Sequence, residues 1–128
     1  MAIGAELWNA GAPTVTPPST VAEWKIAAPA NCGVPVKAEI PSSPETSKAR
    51  RVCRAEYAGP TPVRLILVDM PERPGATAFG AFQSWITAGP GPGKMGFLKG
   101  HYFGIVESSQ ADEPTLKRFI AAIEKILP

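Results

Sequence analysis

Between Arg51 and Ile86 the spacing of apolar positions changes period once, and the rest of the chain is organised around that change. Cys53, Ala55 and Tyr57 alternate with Arg54 and Glu56. A period of two predicts a half-buried strand. Gly59-Pro60-Thr61 follows as a turn cluster, in which Gly supplies unusual backbone angles and Pro fixes its own φ. Val63, Leu65 and Leu67 then alternate with Arg64, Ile66 and Val68. Folding the chain at Pro60 predicts Tyr57 opposite Val63, Ala55 opposite Leu65 and Cys53 opposite Leu67. Glu56 meets Arg64 on the other face, an opposite-charge cross-strand pair. A slip of one residue would drive Arg54 and Glu56 into the core, so the register is well specified.

The prolines and glycine of the run from Asp69 to Gly75 break the strand. From about Gly75 to Thr87 the period becomes helical, and Ala78, Phe79, Phe82, Trp85 and Ile86 form an apolar stripe. Gly80 inside that helix costs roughly 1 kcal/mol relative to Ala. Close approach of the helix to the sheet is a physical reason to accept it. Gly89-Pro90-Gly91-Pro92-Gly93 ends the helix. Lys94 to Ser108 then repeats the hairpin theme, with Lys99-Gly100 as a two-residue turn. That turn pairs Leu98 with His101 and Phe97 with Tyr102. Both faces of this hairpin carry apolar groups, so it is expected to be the better covered of the two. Asp112 is a good N-cap and Pro114 fits a first helical turn. Leu116, Phe119, Ile120, Ile123, Ile126 and Leu127 recur at helical spacing, and Lys125 near the end suits the helix dipole.

The predicted architecture is a two-layer α+β domain. Its antiparallel sheet has four or more strands, built from two hairpin-helix units, with both helices on one face. Residues 1–20 read as an irregular Pro-rich arm with Trp8 as a packing residue, and residues 21–128 as a single domain. Val21 to Ile26 is expected to form a short strand anchored by Trp24. Asn31 to Lys48 is rich in Pro, Ser and Gly and reads as a long connection, with a short strand at Val34–Ile40.

Composition narrows the function classes. At 128 residues and 45% hydrophobic the chain buries about two-thirds of its unfolded surface, so it needs neither metal nor disulfide to fold. A net charge of +2 is too small to imply nucleic acid or an acidic membrane as partner. No stretch reaches the ~20 apolar residues of a membrane-crossing helix. Met1-Ala2-Ile3-Gly4 lacks the basic start and apolar core of a signal peptide, whereas the run from Asn9 to Thr20 resembles the mature start of an exported protein. The expectation is an exported, periplasmic or extracellular protein whose leader is absent from this sequence. A cytoplasmic protein is the alternative. Cys32 and Cys53 either form a disulfide that ties the irregular segment to the first hairpin, or remain two buried thiols.

With those residues in view, the chain from Trp24 onward resembles an uncharacterised bacterial domain family, frequent in soil acidobacteria and often exported. The likeness rests on Trp24, on the strand pair ending in Val63–Met70, and on the helix opening Ala76-Thr77-Ala78-Phe79-Gly80-Ala81-Phe82. It also rests on Phe97-Leu98-Lys99-Gly100-His101-Tyr102 and on a last helix closing in Leu127-Pro128. The resemblance implies an extracytoplasmic location, and the family has no established activity to carry over.

Candidate chemistry is sparse. His101 is the only histidine, and a carboxylate such as Glu107 nearby would make it a general base. As a polar residue flanking a turn it needs no such role. Cys32, Cys53 and His101 match no usual zinc spacing, and three ligands fall short of the four of a structural site. No nucleophile elbow is present, and the glycines from Gly89 to Gly93 lack the Lys-Ser/Thr of a phosphate loop. Arg50, Arg51, Arg54 and Arg64 bring positive charge to the first hairpin, but Glu56 among them argues for a solvated mixed-charge face over a nucleic-acid site. The candidate ligand-binding residues are therefore His101, Arg54, Arg64 and Trp85, the last with core packing as its default role. No metal or cofactor is implied, and the partner is an unspecified protein or small molecule. The leading expectation is a noncatalytic binding or structural domain. A small hydrolase using His101 and nearby carboxylates is the alternative.

Overall fold

The computed structural model describes residues 16–33, 49–70, 78–89, 91–110 and 112–127. Its elements in chain order are β1 (Thr20–Val21), β2 (Trp24–Ile26), β3 (Asn31–Gly33), β4 (Arg51–Ala58), β5 (Val63–Asp69), α1 (Ala78–Ala88), β6 (Lys94–Lys99), β7 (Tyr102–Glu107) and α2 (Glu113–Ile126). The strands form one antiparallel sheet in the order β1-β2-β4-β5-β7-β6, and β3 lies beside β2 along the same edge of β4. The fold is α+β. The arm up to residue 15, the strand expected at Val34–Ile40 and the start of the first helix at residues 75–77 lie outside the described residues.

The first hairpin has the register read from its alternation. Tyr57 lies opposite Val63, Ala55 opposite Leu65, Cys53 opposite Leu67 and Glu56 opposite Arg64. The reason for Gly59 differs from the expected one. It does not adopt a left-handed backbone. A Cβ there would stand 2.6 Å from Cδ1 of Trp24, whose indole lies across the turn and donates from Nε1 to the Thr61 carbonyl at 3.0 Å. Gly59 is the room that Trp24 needs. Trp24 itself is fully buried and belongs to a tight β1–β2 hairpin turning at Ala22, which takes φ 51°.

The two helices do not share a face. α2 packs on the face that carries Cys53, Ala55, Tyr57, Leu65 and Tyr102, where Phe119 meets the rings of Trp24 and Tyr57 edge-on, each at 5.2 Å. α1 packs on the opposite face, against Val52, Ile66, Val68, Phe103 and Ile105. There Phe82 and Trp85 meet Phe103 at 5.9 and 6.0 Å. The expected two layers are three, with the sheet in the middle. The physical reason lies in β5 and β7. Leu65 to Val68 and Tyr102 to Val106 are buried without interruption. An unbroken apolar run marks a strand covered on both sides. Leaving Ile66, Val68, Phe103 and Ile105 in water would forfeit about 1.5–3 kcal/mol apiece.

The second hairpin turns one residue later than expected. Gly100 and His101 form its two-residue loop, so Phe97 faces Gly104 and Tyr102 faces Lys99. Gly100 holds φ +58° while His101 does not, which suits a turn with Gly at its first central position. The Phe97 ring lies over Gly104, where any Cβ would collide with it.

α2 begins as expected, with Asp112 accepting from the Thr115 amide at 3.0 Å. Leu116, Phe119, Ile120 and Ile123 are buried, but Ile126 is 49% exposed. The α1 stripe is rotated from its expected phase. Ala78, Ala81 and Trp85 are buried, whereas Phe79 and Ile86 are 60% and 48% exposed.

Candidate functional site

The sheet register places four charges in one row across four strands. Glu56 of β4 pairs with Arg64 of β5, Arg64 with Glu107 of β7, and Glu107 with Lys94 of β6. All four side chains fall on the α1 face, because each is directly opposite the next. The signs alternate. Arg64 Nη1 stands 3.2 Å from Glu107 Oε1, and Lys94 Nζ 3.8 Å from Glu107 Oε2. One carboxylate thus holds a cation on each oxygen. Such exposed pairs contribute about 0–1 kcal/mol each, so the row adds little to stability.

This row is left uncovered because the core under α1 begins one rung further in, with Ile66 and Ile105. A groove of about 810 Å³ opens there. Tyr57, Pro62 and Val63 line it from the first hairpin, and Pro92, Gly93 and Ser108 to Gln110 from the second. Two loops shape it. Gly93 takes φ +76°, and a Cβ on it would stand 2.8 Å from the Ser108 carbonyl oxygen. The Ser108 amide donates to the Gly93 carbonyl at 2.9 Å, and Ser108 Oγ accepts from the Gln110 amide at 3.2 Å. Pro92 and Gly93 therefore form part of one rim.

Arg64 is in this groove. The other three residues singled out in the sequence are not among its lining residues. Arg54 shares the α1 face with Arg64 but sits one rung inward, opposite Ile66 on one side and Asn31 on the other, and is half-buried. Trp85 is 4% exposed and packs on Phe103, so it is a core residue. Arg51 faces the α2 side, where its Nη2 donates to Thr16 Oγ1 at 3.3 Å. The arginines of the first hairpin are thus split between two faces, and Arg64 is engaged by Glu107.

His101 lies at the far end of the sheet. Glu107 is six residues along β7, about 20 Å away at the usual strand rise, so it is not the partner of His101. That partner is Asp69, with Nε2 3.2 Å from Oδ1. Both side chains are more than nine-tenths buried. Their backbones are locked as well: the Met70 amide donates to the His101 carbonyl at 2.9 Å, and the Arg50 amide to the Asp69 carbonyl at 2.7 Å. The His101 ring lies 4.1 Å from that of Tyr102. Asp69 was missed in the sequence because it opens the Pro-rich break. Its signal is positional, as it ends a strand whose neighbour begins at Tyr102.

Cys32 and Cys53 are directly opposite in register and joined as a disulfide, with Cα atoms 4.0 Å apart. Their sulfurs are therefore not metal ligands, and among the described residues no three His, Cys, Asp or Glu side chains group as a metal site. No described helix is long and apolar enough to cross a membrane. No family model, curated protein or solved structure matches the chain.

Proposed function

We propose that the chain is a noncatalytic, extracytoplasmic binding domain whose ligand or partner seats in the groove over the row Glu56, Arg64, Glu107 and Lys94. That row carries the reading. It is an alternating set of charges, fixed in order by the strand register, at an uncovered sheet end framed by loops with backbone hydrogen bonds. Its formal charge is balanced, which favours a ligand bearing both signs, such as a zwitterion or a mixed-charge peptide segment, over a polyanion. The Cys32–Cys53 bond supports an oxidising environment. Export, and membership of the exported bacterial family that the chain resembles, belong to the same proposal.

A second reading is a small hydrolase, supported by the 3.2 Å approach of Asp69 to His101, which is half of a base-and-orienter pair. It asks a histidine only 9% exposed to reach a substrate. One experiment separates the two. Dipeptides bearing one acidic and one basic side chain are titrated into the oxidised protein and followed by amide shifts. The binding reading expects shifts at Arg64, Glu107 and Ser108 to Gln110, lost in Arg64→Glu and retained in His101→Ala. Ester hydrolysis that disappears in His101→Ala, with no shifts in the groove, would establish the hydrolase instead.

A further inference from the structure

We infer that the outer edge of β6 accepts an extended acidic peptide strand from a partner protein, added to the sheet beside Lys94–Lys99. β6 ends the strand order, and among the described residues none pairs with its outer side. Which groups face outward follows from the ladder. The Ser108 amide donates to the Gly93 carbonyl, and in the same register Met95 faces Val106, Phe97 faces Gly104 and Lys99 faces Tyr102. Hydrogen-bonded pairs alternate with non-bonded ones in an antiparallel ladder. Gly93, Met95, Phe97 and Lys99 therefore direct their backbone groups at β7. Lys94, Gly96 and Leu98 direct theirs outward, a row of three donors and three acceptors.

The chemistry around this edge selects the occupant. Natural edges are blunted by prolines, bulges, covering elements or lysines, and of these lysines alone still admit an acidic strand. β6 has no proline, and the middle one of its three outward residues is Gly96. A Cβ on Gly96 would stand 2.8 Å from both Phe82 and Trp85, so these rings of α1 take the place of a side chain, and Gly96 stays partly exposed. Beside it Leu98 and Phe82 are only half-buried, apolar surface for the centre of an incoming strand. Charge decides the ends. From Arg73 to Val106 the chain contains no Asp or Glu, while Lys94 and Lys99 stand at the two ends of β6. A second copy pairing antiparallel through β6 would set Lys94 against Leu98 and offer neither lysine a carboxylate, because β6 contains no acidic residue. Nucleic acid would meet the lysines but could not complete the ladder. An acidic, centrally apolar peptide satisfies both, by strand addition. Lys94 already pairs with Glu107 at 3.8 Å and remains 43% exposed, so it reaches a second carboxylate without leaving the first.

This inference does not rest on the groove. The test uses the oxidised full chain and the probe acetyl-Glu-Val-Thr-Val-Thr-Glu-amide, with amide hydrogen exchange read by NMR. Exchange at Lys94, Gly96 and Leu98 should slow by about tenfold or more at saturation. A probe N-methylated at alternate backbone positions should lose the effect. A probe with Lys in place of Glu should bind about tenfold more weakly, as should Lys99→Glu with the original probe. Leu98→Pro removes an outward amide without touching the β7 ladder, and should abolish binding. Because that variant also loses a side chain, the N-methylated probe is the decisive arm. Equal binding of the N-methylated or lysine probe overturns the proposal. So does slow exchange at the three amides in the probe-free monomer, or the same protection produced by an oligothymidylate. Lys94 borders both surfaces, so Gly96 and Leu98 report on the edge, Arg64 and Ser108 on the groove, and the two ideas fail separately.

Discussion

Tyr57 ties the entry of the chain to its core with one atom. Its hydroxyl donates to the Pro18 carbonyl at 2.7 Å while its ring packs on Phe119. Burial pushes the phenol well above its ordinary value. The sign follows. A raised folded-state value means that the unfolded chain ionises first, so the contribution is complete below about pH 10 and is lost as pH rises beyond it. Denaturant melts should therefore show stability falling above about pH 10, and Tyr57→Phe should flatten that fall. At neutral pH the same variant should cost about 1 kcal/mol, the net value of one hydrogen bond. An unchanged alkaline slope would show that Tyr57 does not govern it. Gly104 makes a second residue-scale case. Its α-hydrogens lie under the Phe97 ring, and Gly104→Ala should cost about 1–3 kcal/mol as overpacking. Nothing in the alternation of β7 marks Gly104, since the residue it accommodates comes from another strand.

At the scale of elements, α2 separates what a pattern can tell from what it cannot. Phe119→Ala and Ile123→Ala should cost about 3–5 and 2–5 kcal/mol, because both are fully buried. Ile126→Ala should stay within about 0.5 kcal/mol, because that residue is half exposed. Equal losses at Ile123 and Ile126 in urea melts would mean that the helix is rotated. The register of the first hairpin was legible because charges mark one face and the Gly59-Pro60-Thr61 turn and the opposite charges of Glu56 and Arg64 agree on one pairing. The second was not. Moving its pairing by two residues returns every side chain to the same face, so Phe97 and Tyr102 share a face in either register. Turn chemistry at Gly100 and the fit of Phe97 over Gly104 decide between them. α1 has no charged residue, and its three polar ones, Gln83, Ser84 and Thr87, mark its phase only weakly. Of the groove, Arg64 and Glu56 were legible as a pair. Glu107 and Lys94 joined them only once β7 was known to lie beside β5.

At the scale of the whole molecule, the sheet is held from both sides by helices but at its β4 edge by very short strands. β2 and β3 are three residues each. β2 has Trp24, wedged under α2 and capped by Arg118 at 5.5 Å from its ring. β3 has no large apolar anchor, since its residues are Asn31, Cys32 and Gly33, and only Cys32 packs against the core. The Cys32–Cys53 bond is thus the main covalent and packing hold on this strand. The two cysteines are 21 residues apart, and closing such a loop stabilises by about 3 kcal/mol in the chain-entropy model. Reduction should therefore act in a graded way. Exchange should quicken first at residues 31–33 and at the facing residues Val52 to Arg54. The β5–β7 part of the sheet, buried between both helices, should keep its protection. Global stability should fall by up to about 3 kcal/mol, with the spectroscopic signature of the two helices retained. The decisive measurement is intact mass after alkylation without reductant, on protein recovered from an oxidising compartment. No added alkyl groups are expected there, and two after reduction. Two alkyl groups without reduction would remove the bond, and with it the support for an oxidising location. β3 would then be left to three backbone pairs, which at a sheet edge do not hold a strand of this length.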